Sequence, residues 1–277
     1  MSINPTKTTF LERILTQKRT EVERHTAAMP LDQLRRTIEQ AAPARPFAQV
    51  LRHAERLGLI AEIKKQSPSK GLLAQDFDPL VLARIYREHG ADAISVLTDM
   101  EFFGGSLDHL RAIRNDQQRS DEQHGDVPLL RKDFIVDPYQ VYESRAYGAD
   151  AILIIVAAVE PDMVGVLFET TRSIGMDALV EVNNLAELRV ALEVGADLIG
   201  INNRDLHTFE VDVQTTERVL AALPAGQHPV MVSLSGFSGA DGLAHLRAIG
   251  ADAILVGEAI VTAKDPGRKV RELSGQT

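Results

Sequence analysis

"HGADAISVL", residues 89–97, begins where a helix-like pattern ends and runs directly into an apolar strand. Gly90 stands where a helix C-terminus takes glycine, and the β-rich run Ile94–Leu97 follows it. The same joint recurs as "YGADAILII" at 147–155, "VGADLIGI" at 194–201 and "IGADAILVG" at 249–257. Helix, glycine, Ala-Asp, apolar strand is an α-to-β turn, and its repeats fall about two βα units apart. The intervals supply the missing units. "GLIAEIKK" (58–65), "VPLLRKDF" (127–134), "MDALVEVNN" (176–184) and "HPVMVSLSG" (228–236) read as further strands. Helical patterns separate them, several opening with proline, as at Pro79–His89, Pro138–Tyr147 and Pro161–Ile174. Nearly continuous apolar strands belong to a parallel sheet covered on both faces. Eight of them in strict alternation with helices predict a (β/α)8 TIM barrel, an α/β fold, over an open doubly wound sheet. No G-x-G-x-x-G follows the first strand.

Residues 1–48 carry two more helical patterns, Phe10–Thr26 and Leu31–Ala41. They are expected to form an N-terminal helical extension packed on a barrel catalytic domain spanning 49–277. The polar stretch "RNDQQRSDEQHGD" at 114–126 reads as a solvated surface loop.

Bulk properties narrow the function. The 277-residue chain is 44% hydrophobic and 25% charged, which is the composition of a globular enzyme-sized domain. It has no cysteine, so disulfides and thiolate metal sites are excluded. A formal net charge of −9 argues against nucleic acid as a partner, but allows a local positive pocket for a small anion. No apolar run is long enough for a membrane span and no signal-peptide core opens the chain, so the expectation is a cytoplasmic protein. The histidines are scattered with no H-E-x-x-H or similar grouping, and no metal is expected.

The strands share one peculiarity: their apolar runs end in residues that a core would not choose. Glu62 and Lys64 end the first, Lys132 and Asp133 the third, Glu181 the fifth, and Asn202, Asn203 and Arg204 the sixth. Ser233 and Ser235 end the seventh, and Gly257 and Glu258 the eighth. Strand side chains alternate faces, so Ile60, Glu62 and Lys64 share one face, as do Lys132 and Phe134, and Asn202 and Arg204. In a barrel all C-terminal strand ends converge on one mouth, where active sites lie. Ammonium and carboxylate groups gathered there suit acid–base chemistry on an anionic substrate. The loops "SLSGFSG" and "LVGEA" after the last two strands are small and glycine-containing, as a phosphate site requires.

Read together, "IAEIKKQSPSKG" with "DFDP", "SVLTD" with "FFGGS", "LLRKDFIVDPYQVYESRAYGADAILII", "INNRDLHTFEVD" and "LVGEAIV" resemble the indole-3-glycerol phosphate synthase family of tryptophan biosynthesis. The resemblance covers nearly the whole chain. It implies a carboxy-lyase that works without a cofactor and closes the pyrrole ring of 1-(2-carboxyphenylamino)-1-deoxyribulose 5-phosphate, releasing CO2 and water. It implies Lys132 as general acid, Glu62 holding that lysine, Lys64 neutralising substrate charge, and Glu181 transferring a proton after decarboxylation. Asn202 and Ser235 complete the expected catalytic set. Ser67, Arg204, Phe103 and Phe134 would bind the carboxyphenyl part, while Gly236, Leu255, Gly257 and Glu258 would hold the phosphate end. A monomer is expected.

One departure stands out. The seventh strand reads "VSLSGF", so Leu234 occupies a place where the family resembled carries a glutamate. This leaves open a paralogue of altered substrate or reduced activity. A phosphoribosyl-anthranilate isomerase type of barrel and a non-catalytic phosphate sensor are the other readings; twin lysines on the first and third strands fit neither well.

Overall fold

The computed structural model describes residues 9–119, 126–205, 208 and 210–275. Eight parallel strands close into a barrel: β1 (Gly58–Ile63), β2 (Ala93–Leu97), β3 (Leu129–Lys132), β4 (Ala151–Ile155), β5 (Asp177–Val182), β6 (Leu198–Asn202), β7 (Val230–Leu234) and β8 (Ala253–Val256). Each strand pairs with its neighbour in sequence, and β8 closes on β1 through the register Gly58↔Ala253 and Ile60↔Leu255. Helices α1 (Phe10–Ala28) and α2 (Leu31–Glu39) precede the barrel. The others follow their strands: α3 (Pro79–Glu88), α4 (Met100–Phe103), α5 (Leu107–Arg119), α6 (Pro138–Ala146), α7 (Pro161–Ser173), α8 (Leu185–Glu193), α9 (Gln214–Ala221), α10 (Leu243–Ala248), α11 (Glu258–Val261) and α12 (Pro266–Ser274).

The repeated joint has a physical explanation at each of its positions. Its glycines, Gly90, Gly148, Gly195 and Gly250, all have positive φ, the left-handed conformation that ends a helix. Its aspartates staple strands at their N-terminal ends. Asp92 accepts a hydrogen bond from the Leu59 N–H, Asp150 from Leu129 and Asp252 from Met231, each at 2.8 Å. A carboxylate taking an N–H at the first or second residue of the preceding strand satisfies a donor that the ladder leaves over.

Strand alternation sorts the core into two layers. Leu59, Ala61 and Ile63 face outward with Ile94, Val96, Ile152, Ile154, Val180 and Ile254, beneath the helices. Ile60, Leu130, Leu153, Leu179, Val232, Leu234 and Leu255 fill the barrel interior, and Phe47 and Leu51 join that cluster. Gly58 is needed where the chain before the barrel meets β1, because a Cβ there would stand 2.6 Å from the Leu51 carbonyl oxygen.

The stretch read as a surface loop divides. Residues 114–119 are the last turns of α5, and Arg114 and Gln117 are buried, because the Arg114 guanidinium pairs with Asp150 and bonds the Gly148 carbonyl. Residues 120–125 of that expected loop lie outside the described residues. Helices α4, α11 and α12 had no counterpart in the sequence reading; α4 and α11 have four residues each, too short to show a period.

Candidate active site

The interior face of β1 continues from Ile60 to Glu62 and Lys64, so both charges stand at the C-terminal mouth, not in solvent. Lys64 Nζ donates to Glu62 Oε1 at 2.6 Å. Burial pushes the Glu62 carboxyl up, but Lys64 and Lys132 together outweigh that and hold it below the ordinary glutamate range. On β3 and β5 the same phase brings Lys132 Nζ to 3.5 Å from Glu181 Oε2. Glu181 Oε1 accepts a hydrogen bond from Asn202 Nδ2 at 2.8 Å, and Asn202 Oδ1 accepts one from Ser235 Oγ at 2.9 Å. A polar chain Ser235–Asn202–Glu181 therefore runs across the mouth and ends at the Lys132 ammonium.

These residues line one cavity of about 530 Å³, within the range that encloses a small-molecule ligand. All fifteen expected site residues reach its lining: Glu62, Lys64, Ser67, Phe103, Lys132, Phe134, Glu181, Asn202, Arg204, Leu234, Ser235, Gly236, Leu255, Gly257 and Glu258. Phe103 and Phe134 lie with ring centroids 6.3 Å apart and make one wall apolar. Ser67 Oγ and Glu181 Oε2 are buried with no hydrogen-bond partner. Buried polar atoms of that kind are rare unless a ligand or water uses them.

Backbone geometry shapes the opposite end. Ser235 has φ 68°, unusual for a residue with a side chain, and Gly236 follows at φ 93°. The strained turn is held by the Ser235 hydroxyl on Asn202 and by Asn203 Nδ2 donating to the Ser235 carbonyl at 3.1 Å. Gly257 admits no side chain, since a Cβ there would lie 2.5 Å from Glu62 Oε1. Glu258 opens α11, and its carboxylate is engaged by Lys70 from the loop after β1. That side chain is an acceptor already paired, so it does not itself offer an anion a ligand.

Three polar residues counted at the mouth face the other way. The Asp133 carboxylate is buried behind the barrel wall with Lys18 at 2.8 Å and Arg131 at 3.0 Å. Asn203 and Ser233 also point outward, bonded to one another and to Thr216 beneath the helices. Strand parity separates them: 132 and 134 point in, while 131 and 133 point out.

Lys18 had no place in the sequence reading. Fully buried on α1, it makes ion pairs with Asp133 and, at 2.9 Å, with Asp99. Asp99 in turn caps α4, accepting from the Phe102 and Phe103 N–H groups. The spacing Leu11, Ile14, Lys18 places this lysine on the apolar stripe of its helix, and that was the available signal. Leu97, Leu153 and Ile155 were also missed as lining residues, although they share the inward phase of their strands.

A closed eight-stranded parallel barrel whose mouth joins two ammonium groups, two carboxylates, an aromatic wall and a Ser-Gly turn defines a class: a TIM-barrel enzyme for acid–base chemistry on a small anionic ligand. Solved structures agree on the fold. The 3-hexulose-6-phosphate synthase of Salmonella typhimurium superposes with a TM-score of 0.62 at 15% identity, covering 79% of this chain and 97% of that one. The particular family is set by sequence. The family model for indole-3-glycerol phosphate synthase matches residues 11–273. This chain is 55% identical to the indole-3-glycerol phosphate synthase of Roseiflexus sp. (strain RS-1), over 96% of this chain and 98% of that relative. It is 46% identical to that of Dehalococcoides mccartyi (strain CBDB1), over 95% and 99%. The chain belongs to the indole-3-glycerol phosphate synthase family, carboxy-lyases of tryptophan biosynthesis that act on a small phosphorylated substrate. Among the described residues, no helix is long and apolar enough to cross a membrane.

Proposed function

We propose that this mouth closes the pyrrole ring of 1-(2-carboxyphenylamino)-1-deoxyribulose 5-phosphate with Lys132 as the general acid. The observation that carries the assignment is the Lys132–Glu181–Asn202–Ser235 chain facing one cavity with the Glu62–Lys64 pair. The aryl carbon bearing the carboxylate attacks the ribulose ketone, a C–C bond forms, and the carbonyl oxygen takes the Lys132 proton. An ammonium placed at that oxygen opposes the charge building on it. Loss of CO2 returns the bonding pair to the ring. The new hydroxyl then leaves as water after protonation, and a proton is lost from the adjacent carbon, a transfer suited to Glu181.

Lys64 neutralises the substrate's anionic groups and is a second candidate acid for the dehydration. Its bond to Glu62 fixes its position, while Glu62 acts on Lys132 through space. Phe103 and Phe134 wall the aryl ring and keep water from the charges. Ser67 and Arg204 serve the carboxylate side, Asn202 and Ser235 orient the sugar hydroxyls, and the backbone at Gly236, Leu255, Gly257 and Glu258 receives the phosphate.

Domain organisation belongs to the same proposal: residues 1–48 are an extension of a catalytic barrel over 49–277, supported by the Lys18 ion pairs. So do a cytoplasmic location, a monomeric state and the lack of a nucleic-acid partner, the last supported by the net charge of −9. The test is direct. The carboxyphenylamino substrate given to the purified chain should yield the fluorescence of an indole and one CO2 per turnover. Binding without fluorescence would replace this reading with a sensor or a paralogue.

A further inference from the structure

At the closed end of the barrel, away from the mouth, the helix–strand joints match their aspartates with cations. Asp92 has Arg56 and His53, Asp197 has Arg172, and Asp252 has Arg52. The joint at Asp150 breaks this balance. Arg45, Arg111, Arg114 and Arg145 all line one concave cavity of about 380 Å³, and Asp150 is the single carboxylate in its lining. On a chain of net charge −9 this is a local excess of positive charge.

The excess is partly buried. Arg114 is spent on Asp150 and the Gly148 carbonyl, and Arg45 pairs with Asp126 at the rim. Arg145 is only 5% exposed, yet among the described residues no carboxylate lies within ion-pair distance of it. Its guanidinium donates only to two carbonyls, Ala149 at 3.1 Å and Ala42. Burial lowers the Arg145 pKa against the pull of Asp150, and Arg45 adds to the lowering. Behind the lining, the buried Gln117 accepts at its Oε1 from Arg45 and Arg114 and so orients both guanidinium groups. Arg111 lies exposed at the edge, over the Tyr147 ring at 5.1 Å and paired with Asp108 at 2.6 Å.

A buried guanidinium without a counter-ion is costly unless an anion is supplied. Arginine's planar fork matches phosphate and carboxylate oxygens. We propose that this cavity is a second anion site, separate from the mouth, that takes a small oxyanion of the phosphate-monoester class and clamps the end of α2 to α5 and α6. Asp126, Asp108 and Asp150 engage Arg45, Arg111 and Arg114, so the Arg145 guanidinium is the cation left for the ligand. The site is proposed for binding and not for catalysis.

Hydrogen exchange on the full chain tests this, with inorganic phosphate as the probe and sodium chloride matching ionic strength. Phosphate should slow exchange at residues 40–45 as well as at 235–237 of the mouth. In the Arg45→Gln/Arg111→Gln variant the first protection should weaken about tenfold or more in concentration, as expected for the loss of charge-assisted hydrogen bonds, while the second stays. Arg111→Gln alone, at an exposed position, should weaken it less and leave kcat unchanged, which guards against misfolding of the double variant. Protection confined to the mouth in the unsubstituted protein, or equal protection at 40–45 in all three proteins, would overturn the proposal.

Discussion

Two clusters of charge sit back to back across the wall of β3, and residues 131–134 feed them alternately. Arg131 and Asp133 point outward into a closed network with Lys18, Asp99, Thr98 and Glu143, in which the charged groups are buried and paired. Lys132 and Phe134 point inward, where Lys132 is one-fifth exposed and meets Glu181 only at 3.5 Å. Each charged group of the outer cluster has an ion-pair partner within 3.0 Å and is saturated in that sense, whereas the Lys132 ammonium meets its carboxylate only at 3.5 Å. Saturation serves rigidity, because every donor has a fixed acceptor. Incomplete pairing serves chemistry, because an ammonium group must be able to leave one oxygen for another. The outer cluster also reaches the site, through Asp99 under Phe103 and Asp133 beside Lys132 and Phe134.

The contrast is open to experiment. Lys132→Met should remove the inner acid and lower kcat by roughly 10³-fold, within the range for a positioned proton donor, with little change in melting temperature. If the loss appeared in Tm instead, Lys132 would belong with the outer cluster. Lys18→Met should do the opposite first. It leaves Asp99 buried without its cation and Asp133 with Arg131 alone, at about 3–5 kcal/mol, and should lower Tm by roughly 10 °C. Asp133→Asn added to that variant should restore part of the loss; a further fall of the same size would mean that the pair is not coupled.

Acid probes the outer cluster, with Glu62 of the inner one contributing in the same direction. Burial pushes Asp133 and Glu143 up, but Lys18 and Arg131 beside Asp133, and Arg131 and His25 beside Glu143, hold both below the usual carboxylate range. Their folded values lie below the unfolded ones, so the stability they provide is complete above about pH 4–5 and is lost as pH falls towards the folded values. Urea midpoints should hold from pH 7 to 5 and fall below pH 4, less steeply in Lys18→Met. The smallest effect is expected at Leu234, which sits in the ladder between Asn202 and Leu255 on the inner face. Leu234→Glu adds a carboxylate among the mouth residues and should raise kcat several-fold; unchanged or reduced turnover would remove Leu234 as a brake on this site.

Most of the barrel could be read from the chain because the strands are covered on both sides and the Gly-Ala-Asp joint marks where several begin. The inward face was equally plain: Glu62, Lys64, Lys132, Glu181 and Asn202 all lie in phase with apolar residues on their own strands. What escaped depends on partners from distant segments. Asp133 was read at the mouth because a strand end alone does not say which polar group has an ion waiting behind it. Lys18 looked like any helix lysine until Asp99 and Asp133 were brought to it. Arg114 read as solvated for the same reason, its acceptor Asp150 being supplied by the next joint.

Strand β3 also carries its own proofreading. A slip of one position along "LLRKDF" would turn Arg131 and Asp133 into the cavity and press the Lys132 ammonium against that of Lys18, while the Phe134 ring lost its apolar wall. Misalignment would thus be penalised by like-charge repulsion on one side and by a stranded carboxylate on the other. The frame of the strand that carries Lys132 would be favoured by the ion pairs of Arg131 and Asp133 on its outer face.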